Sequence, residues 1–171
     1  MGSDLNNQLD VQGWICRHSG LVSRPLRIAV ENGWYHVLNR GIDGRQLFPD
    51  DRANEHFLEL LKSMPARFNL RIHAFVLMGN HYHLQIETLK PDLSRAIQWL
   101  NLSFSGWYNR LHRRREPLFQ GRFKAVLHDP EESGLIINRY IHLNPVRIKR
   151  LGGHESSRWS RGTIGSGGLR S

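Results

Sequence analysis

The run LRIHAFVLMGNHYHLQIET at 70–88 constrains the fold more than any other part of the chain. Leu70 to Met78 is a nearly continuous apolar stretch, the pattern of a central strand buried on both faces. Gly79-Asn80 is a turn-forming pair, and His81 to Thr88 alternates as a second strand. So short a connection requires an antiparallel hairpin. Side chains alternate across a strand, so His81, His83, Gln85 and Glu87 share one face, and Tyr82, Leu84, Ile86 and Thr88 share the other. The second face suits a core against helices. The first is almost wholly polar and sets two imidazoles side by side.

The flanking signals complete an alternating pattern. Trp34 to Arg40 has strand character and stops at the turn GIDG, 41–44. Asp50 or Asp51 caps a helix predicted to reach about Phe68, with Phe57, Leu58, Leu61 and Met64 at helical spacing and Pro65 expected to end or bend it. Pro91-Asp92 opens the longest helix, whose stripe is Leu93, Ala96, Ile97, Leu100, Phe104, Trp107, Tyr108 and Leu111. Phe123 to His128 reads as a strand. Asp129-Pro130-Glu131-Glu132 then starts a last helix predicted to run to about Asn144, before Pro145. The order β, α, β, β, α, β, α is that of a ferredoxin-like α+β fold: an antiparallel sheet with helices on one face and an extra C-terminal helix. Residues 1–23 read as a loosely ordered extension, 24–151 as the folded domain, and 152–171 as a Gly/Ser-rich, flexible tail.

Charge narrows the partners. Lys and Arg total 24 against 15 Asp and Glu, a formal +9, and only Lys62, Lys90, Lys124 and Lys149 are lysines. Arginine forks match phosphate oxygens and stack on bases, so an arginine-rich domain points to a polyanion, nucleic acid first. No apolar run reaches the length of a membrane span, and the opening residues lack the pattern of a secretory signal, so no membrane partner is expected and a cytoplasmic setting is. Cys16 is the lone cysteine, which excludes an internal disulfide framework and a Cys-rich zinc site.

Three segments carry candidate chemistry. His81 and His83, at i and i+2 on a strand, can chelate one metal ion, although two solvated strand histidines have the same spacing. In RYIHLNPVR, 139–147, Tyr140 and Asn144 share a helix face. A tyrosine there can be core and an asparagine before proline a helix end. Beside a divalent metal, however, a phenol can attack a polarised phosphoryl group, and an amide oxygen can complete a ligand set with two imidazoles. In RLHRRREPLFQGRFKA, 110–125, the candidate DNA contacts are Arg110, Arg113, Arg114, Arg115, Gln120, Arg122 and Lys124, with Phe119 and Phe123 interleaved as possible base-stacking rings.

At these residues the sequence resembles the REP-associated tyrosine transposases, relatives of the single-tyrosine HUH transposases of IS200-like insertion sequences. The matching stretches are RPLRIAVENGWYHVLNRGIDGRQLFPDD at 24–51, HAFVLMGNHYHLQIE at 73–87, EPLFQGRFKAVLHD at 116–129 and NRYIHLNPVR at 138–147. The HUH motif, two histidines around a bulky hydrophobic residue, is here His81-Tyr82-His83. The resemblance implies a metal-dependent endonuclease and strand transferase acting on single-stranded DNA beside hairpins. His81, His83 and Asn144 would hold Mg²⁺ or Mn²⁺, and Tyr140 would form a 5′-phosphotyrosine link. It further implies a bacterial, nucleoid-associated setting and a monomer or homodimer. Residues 1–23 have no counterpart in the family pattern, and the Gly/Ser-rich end departs from it.

Two other readings compete. One is a domesticated hairpin-binding protein that has kept the fold and lost turnover, which would not require Tyr140 together with both histidines. The other is a metal-independent phosphoesterase using the two histidines as acid and base, which leaves Tyr140 idle.

Overall fold

The computed structural model describes residues 29–134, Ile137, and two strand segments at 160–165 and 168–169. β1 spans Gly33–Arg40, α1 Asp51–Phe68, β2 Leu70–Met78, β3 His81–Thr88, α2 Leu93–Leu111 and β4 Lys124–His128. The strands form one antiparallel sheet in the order β4-β1-β3-β2-β5-β6, where β5 is Ser160–Gly165 and β6 is Gly168–Leu169. The first four strands have the ferredoxin-like arrangement that the alternating pattern predicts, with β3, which carries His81 and His83, inside the sheet between β1 and β2.

The predicted hairpin is present with its register: Met78 pairs with His81, Leu77 with Tyr82 and Val76 with His83. One irregularity lies between Ile72 and Ala74, where His73 is the extra residue. This bulge lets Ile72, Phe75 and Leu77 all join the helix-side core, while Ala74, Val76 and Met78 form a second cluster on the other face.

Both helices pack on one face. α1 is capped by Asp50, whose Oδ1 accepts from the Ala53 amide at 2.9 Å. It buries Ala53, Phe57, Leu61 and Met64. Pro65 does not end it. The proline removes one bond of the ladder, its own N–H to the carbonyl four residues back, and burial of Pro65 and packing of Phe68 against Trp99 hold the last turn. Asn69, left-handed at φ 47°, closes the helix. α2 buries Leu93, Ala96, Ile97, Leu100, Phe104 and Tyr108. The predicted stripe is shorter than expected at its end: Trp107 is half-buried against His56, and Leu111 is exposed.

Phe119 and Phe123 are buried members of the helix-side core. The expectation that they stack on bases is therefore corrected: the hydrophobic gain of burying two rings outweighs leaving them beside the arginines.

The C-terminal tail is also corrected. Ser160–Gly165 pairs with β2, with Val76 opposite Ser160 and Ile72 opposite Ile164, and Gly168–Leu169 turns back on it. β2 would otherwise be an edge strand with open N–H and C=O groups, and even Gly/Ser-rich chain can satisfy these through its backbone. After β4, Asp129 Oδ1 accepts from the Glu131 amide at 2.7 Å, the predicted cap, and Pro130–Gly134 form one wide helical turn. The rest of the predicted last helix, including Tyr140 and Asn144, lies outside the described residues apart from Ile137. No described helix is long and apolar enough to cross a membrane.

Candidate metal and DNA site

The polar face predicted from β3 exists, but its middle is closed to solvent, while His81 and Glu87 at its ends are half-buried. His83 is 3% exposed and Gln85 1%. The chain after β4 covers them. Gln85 Nε2 donates to the Gly134 carbonyl at 3.2 Å, and Ile137 is buried with Ala74, Val76 and Met78. Val76 and Met78 are the cross-strand partners of His83 and His81. The segment leading toward Tyr140 thus crosses the histidine face, opposite the two long helices.

Each histidine is held at Nδ1. His81 Nδ1 lies 2.7 Å from the Asn80 side-chain oxygen, which can only accept, so the proton sits on Nδ1 and the lone pair on Nε2. His83 Nδ1 lies 2.9 Å from His36 Nε2, with the two rings stacked. A His83 that donates through Nδ1 likewise carries its lone pair on Nε2, the form a metal requires. The two HUH rings stand edge to face with centroids 5.2 Å apart.

The surroundings keep these imidazoles neutral. Burial pulls His83 well below its ordinary value, and His36 and His81 add to the effect. Burial also lowers His81, helped by the Arg40 guanidinium. His36 falls to about 4, through burial and then the proximity of His128. A ligating histidine must be neutral, so the donor chemistry fits a divalent cation. Among the described residues no three His, Cys, Asp or Glu side chains gather to hold a metal, so the pair needs a donor from elsewhere.

Glu87 does not supply it. Although on the same face, it sits at the far end of β3, where it pairs with Arg71 at 3.2 Å and with His73 at 3.0 Å. His73 in turn stacks under Trp34 at 4.0 Å.

The basic candidates divide. Lys124 is opposite Leu38, which is opposite His83, so it shares a row with the HUH pair. Gln120 donates its backbone N–H to the Arg40 carbonyl at 2.9 Å, and its Oε1 accepts from Arg40 Nε. Arg114 is tied to Glu116, which Arg45 also approaches at 3.6 Å. Arg110 turns back to the Gly106 carbonyl. Arg113, Arg115 and Arg122 are exposed.

Sequence reading missed His36 and Arg40. The signal was available: in WYHVLNR they alternate on β1 with Trp34 and Leu38, and pairing puts that set on the histidine face.

The fold and site define a ferredoxin-like sheet that carries a His-x-His pair, His83 buried and His81 half-buried, on the face away from its helices. Comparison with known proteins gives its family. The family model "Transposase IS200 like" matches residues 29–144, and the chain belongs to that family. No curated protein matches. The structure of a REP-associated tyrosine transposase bound to a REP hairpin superposes with a TM-score of 0.64 at 16% identity, covering 74% of each chain. A putative transposase from Deinococcus radiodurans R1 gives a TM-score of 0.48 at 17% identity, over 70% of this chain and 95% of that one.

Proposed function

We propose that this IS200-like transposase is a metal-dependent single-strand DNA endonuclease and strand transferase that cuts beside DNA hairpins through a 5′-phosphotyrosine intermediate. The observation that carries the reading is the pair of neutral imidazoles, each tied back at Nδ1, beneath the segment that leads to Tyr140. Ile137 packs beside the partners of both histidines, and Tyr140 follows three residues later in the sequence. The similarity to a hairpin-bound REP-associated transposase supports the substrate class.

His81 and His83 would hold Mg²⁺ or Mn²⁺ through Nε2, with Asn144 as the third protein donor. When bound, the cation polarises the scissile phosphate and offsets charge developing on it. Tyr140 supplies the nucleophile. Its oxygen forms a bond to phosphorus, the bond to the 3′ oxygen breaks, the phenolic proton leaves to solvent, and the departing oxygen takes up a proton. The products are a 5′-phosphotyrosine and a free 3′-OH. Attack by another 3′-OH reverses the step and rejoins DNA, so no nucleotide cofactor is consumed. Arg113, Arg115, Arg122 and Lys124 would bind the phosphate backbone.

The test is a hairpin oligonucleotide with single-stranded flanks, incubated with the protein and Mn²⁺. A covalent protein–DNA band forms, and Tyr140→Phe abolishes it while hairpin affinity stays within about twofold. An adduct that persists in Tyr140→Phe moves the nucleophile elsewhere. No adduct from the unaltered protein with any flanked hairpin removes the enzymatic reading.

A further inference from the structure

Arg40 is the last residue of β1, directly opposite His81 in the β1–β3 register. Opposed residues in a sheet share a face, so the guanidinium stands on the histidine face, close enough to depress His81. Its setting is specific. Arg40 Nε donates to Gln120 Oε1, and the Arg40 carbonyl accepts from the Gln120 amide, so one residue grips both its side chain and its backbone. Gly41 follows, its amide bonded to the Asn80 carbonyl at 2.8 Å. A Cβ at Gly41 would run into the Arg45 carbonyl, so the tight exit from β1 requires glycine. The strand end, the HUH turn and the loop at 118–121 are thereby locked together around Arg40.

The charge is not neutralised locally. Among the described residues the arginine–carboxylate pairs are Arg45 and Arg114 with Glu116, Arg71 with Glu87, and Arg95 with Asp92. Arg40 faces a neutral amide instead, which occupies Nε and leaves the terminal N–H groups of an exposed guanidinium for another acceptor. A fixed, uncompensated guanidinium beside a metal-binding imidazole is matched by an anion that also meets the metal.

We infer that Arg40 contacts a non-bridging oxygen of the scissile phosphate, and that Gln120 is the positioning residue that aims it. The inference rests on the proposed cleavage reaction and adds a residue to it. Charge accumulates on the non-bridging oxygens as Tyr140 attacks, so a preorganised guanidinium acts more strongly on the transition state than on the bound substrate. Gln120, expected from the sequence as a DNA contact, holds the fork of Arg40 through its Oε1. Lysine at position 40 would keep the charge and lose the fork.

The test uses the full chain with Mn²⁺ and a flanked hairpin in single-turnover cleavage. Arg40→Ala lowers the maximal rate about 100-fold while Mn²⁺ affinity is retained. Arg40→Lys recovers part of the rate, and Gln120→Ala loses about 10-fold in rate with substrate affinity little changed. An unaltered maximal rate in Arg40→Ala overturns the inference and leaves the cleavage reaction standing. A second measurement stands apart from turnover. In a Tyr140→Phe background without metal, the affinity gained by adding the single-stranded flank to the hairpin shrinks several-fold on Arg40→Ala. An unchanged flank increment overturns the inference even if no cleavage is ever seen, whereas absence of cleavage with a lost increment rejects the reaction and keeps the phosphate contact.

Discussion

The two faces of this sheet are made from alternate residues of the same strands, yet they are held by different forces. On one face Tyr35, Val37, Leu70, Ile72, Phe75, Tyr82, Leu84 and Ile86 meet α1 and α2 in a continuous apolar core. On the other, His36, His83 and Gln85 are buried among themselves, beneath the short segment that contains Gly134 and Ile137. The first face tolerates imprecision because hydrophobic burial has no direction. The second combines a small apolar cluster with particular hydrogen bonds, His36 to His83 and Gln85 Nε2 to the Gly134 carbonyl, so a polar group there is costly to disturb. The lesson is a division of labour: most of the apolar burial lies with the helices, and the opposite face carries the buried polar groups on which the proposed chemistry rests.

This contrast can be broken by substitution. Phe57→Ala, in the middle of the helix-side core and ringed by Phe48, Tyr82 and Phe104, should cost about 3–5 kcal/mol in chemical denaturation. A loss below about 1 kcal/mol would show that α1 is not the main source of stability.

The histidine face should announce itself through pH. His36 has a folded value of about 4 against an ordinary 6.5, so between those values the unfolded chain binds the extra proton and the folded one does not. Stability is therefore full above pH 6.5, falls as pH is lowered through that window, and levels off below pH 4, a loss on the order of 3 kcal/mol from this residue. His83 and His81 shift in the same direction and deepen the loss. Denaturation of metal-free protein across pH 7 to 4 checks it. His36→Gln should flatten the profile, and an unchanged slope would place the acid sensitivity elsewhere.

His83→Gln should separate the faces. It leaves His36 with a poorer partner, a cost of about 1–3 kcal/mol, while cleavage falls far more than stability does. Equal losses, read by comparing adduct yield with unfolding midpoint, would make His83 a structural residue.

The smallest effect concerns the surface. Lys124→Ala or Arg122→Ala should reduce the slope of log affinity against log salt by about 1 each, uniformly across hairpin sequences. A sequence-dependent loss would instead indicate base contacts.

How much of this was legible in the sequence follows from the same contrast. The hairpin, the helix-side core and the polar face of β3 could be read because period 2 and period 3.6 are local properties of 70–88 and 93–108. The alternation of WYHVLNR already put His36 and Arg40 on one side of β1, but which face of the sheet that side joins is set by pairing with residues about 50 positions away. The tail at 160–169 failed for a related reason: its composition carries no strand signal, and its pairing derives from the open edge of β2. Phe119 and Phe123 looked like stacking rings because they sit among arginines, yet burial decided where they went.

The account depends most on a metal ion bound by both imidazoles of β3, and magnetic resonance of bound Mn²⁺ reads this directly. Electron spin-echo modulation from the protein–DNA complex should show two imidazole nitrogens on the metal, reduced to one in either His81→Ala or His83→Ala. A Mn²⁺ signal without imidazole coupling, or one that neither substitution alters, would contradict the assignment of this face as the catalytic one.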